Sequence, residues 1–254
     1  GGGVEPKVDF MVIGAQKAGT TALFDYLGDV PGIGLSDVKE AHFFDDESQD
    51  WNAPDYGAYH ARFDLADRER VWGEATPIYL YWPNCLARIA AYNPAVRLII
   101  LLRDPVSRAY SHWRMEYARG VETNPFDWCI RQGRARLFGG EPWGWHREFS
   151  YVERGFYGEQ IEAALALFPR EQILILRAED LDRDPAGALA KVCAHVGVPP
   201  PAQVRPRRVH EARAAAYPSE LGPADIAWLR EIYAADATRL RALTGLDLTP
   251  EPAP

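Results

Sequence analysis

A short apolar run, followed at once by a glycine-bounded turn and a helical pattern, constrains the fold of this chain more than any other feature. The run is Val8–Ile13, and residues 14–21 read Gly-Ala-Gln-Lys-Ala-Gly-Thr-Thr. Apolar side chains then recur on one side of a helix over Thr20–Gly28. A buried strand that leads directly into a helix is typical of a parallel sheet. Backbone N–H groups at such a junction, together with the helix dipole, create an anion site.

The rest of the chain alternates in the same way. Apolar runs predict strands at Val71–Glu74, Val96–Leu102 and Gln172–Leu176, and helical periodicity is found over Val106–Arg119, Gly158–Phe168, Pro185–Val196 and Pro223–Thr244. We therefore predict an α/β fold, a single-domain doubly wound parallel sheet with a P-loop-like loop. The domain is expected over residues 8–248, with flexible tails at 1–7 and 249–254. The aromatic stretch Gly139–Tyr157 shows neither period, which leaves open a surface loop or the wall of a binding site.

Composition excludes several functional classes. The net charge is 28 − 36 = −8, which argues against nucleic acid as a partner. The longest purely aliphatic run is Leu98–Leu102, far short of the roughly 18 residues that a membrane span needs. The start of the sequence does not resemble a signal peptide, and three widely separated cysteines predict neither a disulfide framework nor a zinc site. We expect a cytoplasmic, enzyme-sized domain without a metal. The oligomeric state stays open.

The glycine-bounded turn differs from the nucleotide P-loop in one respect. A P-loop carries its lysine directly after the second glycine, where it reaches the terminal phosphates, and the next hydroxyl binds Mg²⁺. Here Thr20 follows Gly19, and the lysine stands earlier in the loop as Lys17. This arrangement suits a phosphate or sulfate bridge without a metal. A P-loop kinase-like phosphotransferase is the alternative.

The loop also resembles that of a known family. Gln-Lys-Ala-Gly-Thr-Thr is similar to the 5′-phosphosulfate loop of sulfotransferases that use 3′-phosphoadenosine 5′-phosphosulfate (PAPS), most of all in the heparan-sulfate sulfotransferase-like branch and its bacterial relatives. The resemblance implies that Lys17 lies near the bridging oxygen and the 5′-phosphate. It assigns binding of the donor to Gln16, Lys17, Ala18, Gly19, Thr20 and Thr21.

Two more basic segments fit this resemblance to different degrees. Residues 101–113 resemble the family's 3′-phosphate motif R-[DN]-P-x-x-R-x-x-S, which implies that Arg103 and Ser111 hold the 3′-phosphate. Two anion sites, each at a strand end, would thus bind opposite phosphates of one nucleotide. Residues 205–213 match the family's late nucleotide-covering loop weakly, with Arg213 in place of its lysine. The alternative for that segment is a solvated run of charge.

Two glutamates are candidates for the general base. Residues 39–45 resemble the family's E-x-H-F-F-D segment, which implies that Glu40 is the base. The alternative for Glu40 is a place in a solvated acidic run. His42, two residues on, would lie on the same side of an extended segment and orient Glu40 or the acceptor, with a purely structural histidine as the alternative. Glu74 is the second candidate, in a segment similar to E-K-[ST]-x-x-Y-F. Its alternatives are an acceptor ligand or a partner of the loop lysine. Ala75 replaces the lysine of that motif, and Lys39 is the candidate to supply the missing charge.

Taken together, the motifs cover residues 9–248 and predict a PAPS-dependent sulfotransferase. The enzyme would move the sulfuryl group to a hydroxyl, or secondarily an amine, of a carbohydrate or small-metabolite acceptor. PAPS would be the co-substrate and the desulfated nucleotide 3′-phosphoadenosine 5′-phosphate (PAP) the product, with no metal. A nucleotide-binding module that has lost catalysis is a further alternative, because the lysine of the second motif is missing.

Overall fold

The computed structural model describes residues 5–140, 143–207, 217, 219–248 and 250–251. The chain forms two compact units. The first comprises the chain up to Leu102 together with Ala163–Arg207, and the second comprises Arg103–Glu162 together with the chain from residue 208 onward. A single domain over residues 8–248 stays a prediction.

The first unit contains a five-stranded sheet in the order β2-β3-β1-β4-β5, and every pair of neighbouring strands is parallel. The predicted α/β fold with a parallel sheet is therefore confirmed. The strands are β1 Phe10–Gly14, β2 Ile33–Leu35, β3 Val71–Ala75, β4 Arg97–Leu102 and β5 Ile173–Arg177. Strand β2 was not predicted, because three residues are too few to show a strand period.

The central strand β1 is the point at which the order of the sheet reverses. Val12 pairs with Ala75 of β3 on one side and with Ile99 of β4 on the other. All five residues of β1 are buried, as expected of a parallel strand that is covered on both faces. Ligands of such sheets bind at the carboxyl ends of the strands, beside this switch point.

Ten α-helices lie within the described residues: α1 Thr20–Leu27, α2 Tyr56–His60, α3 Cys85–Tyr92, α4 Pro105–Ala118, α5 Phe126–Cys129, α6 His146–Phe149, α7 Tyr157–Leu167, α8 Ala178–Arg183, α9 Pro185–Val196 and α10 Pro223–Thr244. The five helices predicted from periodicity are α1, α4, α7, α9 and α10. In the first unit, α9 packs on β4, β5 and α1. Its start is fixed by Asp184, whose carboxylate accepts the N–H of Gly187 at 3.0 Å.

The second unit is helical and is built around α4 and α10, which pack against each other. Asp104 caps α4, and Pro105 occupies its first position, where no N–H is needed. The buried core of the unit consists of Val106, Ala109, Tyr110, Trp113, Phe126, Cys129, Ile130, Tyr151, Val152, Leu221, Leu229 and Tyr233. No helix among the described residues has both the length and the apolar character that a bilayer crossing requires.

The aromatic stretch that follows Phe138 is only partly buried. Tyr151 is fully buried, and its hydroxyl donates to the carboxylate of Glu122 at 2.8 Å. Arg136 pairs with the same carboxylate, and these bonds lower the pKa of Glu122 to about 2 against the effect of its burial. Trp143 and Trp145 are exposed. The stretch is therefore fixed at one end and presents aromatic rings at the other.

Candidate functional site

The loop after β1 lies at the carboxyl edge of the sheet. The N–H of Ala15 donates to the carbonyl of Leu101 at 2.8 Å, which joins the loop to the end of β4. A turn follows, closed by the N–H of Ala18 on the carbonyl of Ala15 at 3.0 Å. The chain then enters α1 at Thr20, so the loop leads into the N-terminus of an eight-residue helix.

Backbone conformation makes this helix start suitable for an anion. Gly19 is the cap residue and has a φ of 90°, a left-handed conformation that favours glycine. It has no side chain to cap the helix, so the first-turn N–H groups are available to a ligand. Lys17 also has a positive φ, 64°, which is uncommon for a residue with a side chain. Both features lie within the six residues that were assigned to the donor.

The same six residues differ in exposure. Gly19 and Thr21 are exposed, Gln16 and Lys17 are half-buried, and Ala18 and Thr20 are buried. Residues 14–21 include one amine, two hydroxyls and one amide but no carboxylate. This set of donors fits a phosphate or sulfate group.

A second group of side chains lies in the same unit and contains Glu40, His42 and Asp45. The ring nitrogens of His42 contact both carboxylates: Nδ1 lies 2.9 Å from Asp45 Oδ2, and Nε2 lies 2.9 Å from Glu40 Oε2. These contacts, first with Asp45 and then with Glu40, raise the pKa of His42 to about 10. The imidazolium therefore donates both ring protons, one to each carboxylate.

The three members of this group differ in burial. The side chain of Asp45 is 1% exposed, whereas those of Glu40 and His42 are 42% and 47% exposed. Asp45 thus holds His42 from the protein side, and Glu40 faces solvent. Asp45 belongs to the E-x-H-F-F-D segment, but the sequence predicts no role for it. The hydrogen bond from His42 to Asp45, three residues further along the chain, identifies that role.

Segment 40–45 is anchored to the sheet and to an aromatic cluster. The N–H of Ala41 donates to Thr76 Oγ1 at 3.1 Å, and the N–H of Thr76 donates to the carbonyl of Val12 at 3.0 Å. The buried ring of Phe43 stacks on that of Tyr59 with centroids 4.7 Å apart. Because Val12 lies in β1, these bonds place the Glu40 segment at the sheet edge from which the loop after β1 also starts.

The second candidate base, Glu74, lies one residue before the end of β3 and is fully buried. Its carboxylate accepts hydrogen bonds from the hydroxyls of Tyr59, Thr76 and Tyr79, the last at 3.1 Å. Burial raises the pKa of Glu74, although the three hydrogen bonds oppose that shift. Of the two candidates, only Glu40 has a carboxylate that solvent reaches.

The residues predicted at the 3′-phosphate site lie in the second unit. The guanidinium of Arg103 binds the carboxylate of Glu251 in a two-pronged contact, with Nε–Oε1 at 2.8 Å and Nη2–Oε2 at 3.1 Å. The hydroxyl of Tyr157 donates to the carbonyl of Arg103 at 2.7 Å. Ser111 is partly exposed on α4. A planar two-pronged donor of this kind binds a phosphate as well as a carboxylate.

The basic segment at residues 205–213 is described only as far as Arg207. Arg213 lies outside the described residues. Arg207 pairs with Asp29 in the first unit, and its N–H donates to the hydroxyl of Tyr26 at 2.8 Å. Within the described ranges, no group of three or more His, Cys, Asp and Glu side chains is arranged to hold a metal ion.

Comparisons with known proteins agree with these features. Residues 7–217 match the family model of a sulfotransferase domain. The chain is 30% identical over 204 residues to human heparan sulfate glucosamine 3-O-sulfotransferase 3B1, covering 78% of this chain and 48% of that protein. It is 31% identical over 194 residues to the human 3A1 enzyme, covering 74% of this chain and 44% of that protein. The chain thus spans about half the length of these curated relatives.

A solved structure matches over nearly the whole chain. It is a sulfotransferase from Alicyclobacillus acidocaldarius, with a TM-score of 0.78 and 29% sequence identity, and the match covers 95% of this chain and 97% of that one. Because the family model matches residues 7–217 and two relatives are about 30% identical to this chain, the chain belongs to the sulfotransferase domain family.

Proposed function

We propose that this protein transfers a sulfuryl group from PAPS to a hydroxyl of a carbohydrate or small metabolite. The single observation that carries the proposal is the solvent-exposed carboxylate of Glu40, hydrogen bonded to a histidine that the buried Asp45 holds in place. This group is tied through Thr76 to the strand that ends in the phosphate loop. A general base and an anion site at one sheet edge are what such a transfer needs.

The family motifs assign the two ends of the donor to different groups of residues. In the first unit, the N–H groups at the start of α1, the threonine hydroxyls and Lys17 bind the 5′-phosphosulfate. In the second unit, Arg103 and Ser111 contact the 3′-phosphate, as the family motif implies. Lys17 also offsets the negative charge that grows on the 5′-phosphate as the sulfuryl group leaves.

The chemical step is an in-line displacement at sulfur. The acceptor oxygen forms a bond to sulfur while the bond from sulfur to the 5′-phosphate oxygen breaks, and that electron pair stays on PAP. Glu40 takes the proton of the acceptor hydroxyl. His42 keeps both ring protons at neutral pH, so it does not compete as the base. It holds the Glu40 carboxylate in one orientation through the Nε2 contact.

A neutral glycoside is a better candidate for the acceptor than a polyanion is. The curated relatives are named for the 3-O-sulfation of glucosamine in heparan sulfate, which suggests a sugar hydroxyl. The chain carries a net charge of −8, and such a charge repels a highly sulfated chain. Ala75 stands where the family motif has a lysine, which removes one more contact for an anionic acceptor.

Two measurements test the proposal. Calorimetric titration with PAP, with and without Mg²⁺, is expected to show binding that needs no metal, whereas a kinase-like enzyme would bind ATP with Mg²⁺. A screen of neutral glycosides, phenols and heparan sulfate with radiolabelled PAPS then identifies the acceptor, with Glu40→Gln as the control. Intact PAP binding without transfer to any acceptor would favour a nucleotide-binding module without catalysis.

A further inference from the structure

The buried carboxylate of Glu74 takes no part in the transfer step described above, yet it is connected to the segment that carries Glu40. Two of its three hydroxyl partners, Thr76 and Tyr79, also accept hydrogen bonds from backbone N–H groups. Thr76 Oγ1 accepts from Ala41 at 3.1 Å, and Tyr79 Oη accepts from Phe43 at 3.1 Å. Ala41 and Phe43 are the two neighbours of His42 in the chain.

The polarity of these bonds depends on Glu74. A hydroxyl has one proton to donate and two lone pairs with which it accepts. Thr76 and Tyr79 donate their protons to Glu74, so their lone pairs point toward the two N–H groups. Burial raises the pKa of the Tyr79 hydroxyl well above its ordinary value, and its proton is therefore retained at neutral pH. By accepting their protons, the Glu74 carboxylate thus orients both hydroxyls so that they accept from the backbone N–H groups.

The residue between the two anchored N–H groups has an unusual conformation. His42 has a φ of 50°, in the left-handed region that side chains other than glycine rarely adopt. In that conformation its ring reaches Asp45 on one side and Glu40 on the other, at 2.9 Å each. Strained residues persist only where their surroundings hold them, and here the holding bonds lie on both sides.

We propose that Glu74 is a positioning residue, which acts through the hydroxyls of Thr76 and Tyr79 to hold the backbone at His42 and so orient Glu40 for proton transfer. The inference rests on the proposed function, in which Glu40 is the base. It replaces the three roles open to Glu74 from the sequence, namely base, acceptor ligand and partner of Lys17. A fully buried carboxylate with three hydroxyl donors serves none of these without rearrangement.

The test uses hydroxyl deletions, because an amide at the fully buried Glu74 alters folding together with geometry. Thr76→Val and Tyr79→Phe each remove one bridge and keep the shape of the side chain. Tyr59→Phe is the matched control. It removes a hydroxyl that donates to Oε2 of Glu74, the same oxygen as Tyr79, while both N–H groups keep their partners.

The first readout is the pKa of His42, measured by NMR on protein with labelled histidine and assigned with His42→Gln. This measurement needs no acceptor. In Thr76→Val and Tyr79→Phe the pKa of His42 is expected to fall by about one unit from its value of about 10. The reason is that the ring nitrogens no longer keep good hydrogen-bond geometry to both carboxylates. Tyr59→Phe is expected to keep the wild-type value. The proposal is overturned if the two bridge variants keep it as well, or if the control loses as much as they do.

The second readout is turnover with radiolabelled PAPS and the acceptor found in the screen. The bridge variants are expected to lose about tenfold or more in kcat with an unchanged KM for PAPS, whereas Tyr59→Phe keeps both. A Glu40→Gln variant that keeps full turnover refutes Glu40 as the base, and the His42 titration still tests the anchoring. An inactive Glu40→Gln variant beside bridge variants with wild-type kcat refutes the positioning role alone.

Discussion

At the scale of single residues, the predicted 3′-phosphate ligand Arg103 is paired with a carboxylate of the protein itself. Its guanidinium binds the carboxylate of Glu251 with the two-pronged geometry that a phosphate would use. The N–H of Glu251 lies 3.3 Å from Asp104 Oδ2, which adds a second contact beside the arginine. If Arg103 holds the 3′-phosphate, the nucleotide has to displace this carboxylate.

This competition gives a pair of opposite effects on PAP affinity. Arg103→Ala is expected to weaken binding roughly tenfold to a hundredfold, because charge-assisted hydrogen bonds to phosphate are lost. Glu251→Gln is expected to strengthen it about two- to fivefold, the range of a partly exposed ion pair. Calorimetric titration with PAP measures both.

Arg177 provides the control for this pair. It ends strand β5 and binds Asp180 with the same two-pronged geometry, Nε–Oδ2 at 3.0 Å and Nη2–Oδ1 at 3.2 Å, but it belongs to no nucleotide motif. Arg177→Ala is expected to leave PAP affinity unchanged. An equal loss in Arg103→Ala and Arg177→Ala would contradict the assignment of the 3′-phosphate to Arg103.

The two carboxylates beside His42 are expected to contribute unequally. Asp45→Asn should lower the pKa of His42 from about 10 toward the ordinary value of 6.5 more than Glu40→Gln does, because the bond to the buried Asp45 is the larger cause. NMR titration of the His42 ring in both variants measures this. A larger drop in Glu40→Gln would show that Glu40, not Asp45, holds the ring.

The raised pKa of His42 also makes stability depend on pH. Its folded value of about 10 lies above the unfolded value of 6.5, so the folded state binds the proton more tightly. The contribution is fully present below pH 6.5 and is lost as the pH rises through about 10. The difference in unfolding free energy between wild type and His42→Gln is therefore expected to shrink over this window in denaturant titrations. A difference that is constant with pH would refute the contribution of His42 protonation to stability.

At the scale of elements, the close packing between strands β1 and β3 depends on one glycine. A Cβ added at Gly73 of β3 would lie 2.2 Å from the ring of Phe10 in β1, which is fully buried. Gly73→Ala is expected to cost about 2 kcal/mol of unfolding free energy through overpacking. Gly57→Ala is the control, because its Cβ would meet nothing closer than 3.4 Å within α2 and alanine favours helix. Equal losses in the two variants would show that close packing at β3 is not the cause.

Elements also differ in how far the sequence predicts them. Apolar runs predicted the strands β1, β3, β4 and β5, and helical periodicity predicted the helices α1, α4, α7, α9 and α10. Strand β2 and the helices α2, α5 and α6 have three to five residues, so they are fixed by tertiary packing and not by a period of their own.

At the scale of the whole molecule, ligand binding should stabilise the fold without a metal. PAP at a free concentration of 100 times its Kd is expected to add about 2.7 kcal/mol to the free energy of unfolding. Thermal unfolding with PAP, in EDTA or in Mg²⁺, should give the same rise in Tm. A rise that appears only with Mg²⁺, and with ATP in place of PAP, would favour a kinase-like phosphotransferase.

The sequence by itself determined the parallel sheet, the glycine-bounded loop after its central strand and the family, because each depends on local patterns within about ten residues. Only the tertiary structure distinguishes the two candidate glutamates, since Glu40 is exposed whereas contacts with Tyr59, Thr76 and Tyr79 bury Glu74. The proposal of Glu40 as the base rests on that difference. The partner of Arg103 lies 148 residues away, beyond any local pattern. Long-range packing sets which carboxylate is exposed to solvent and which is buried, and no local sequence pattern shows that choice.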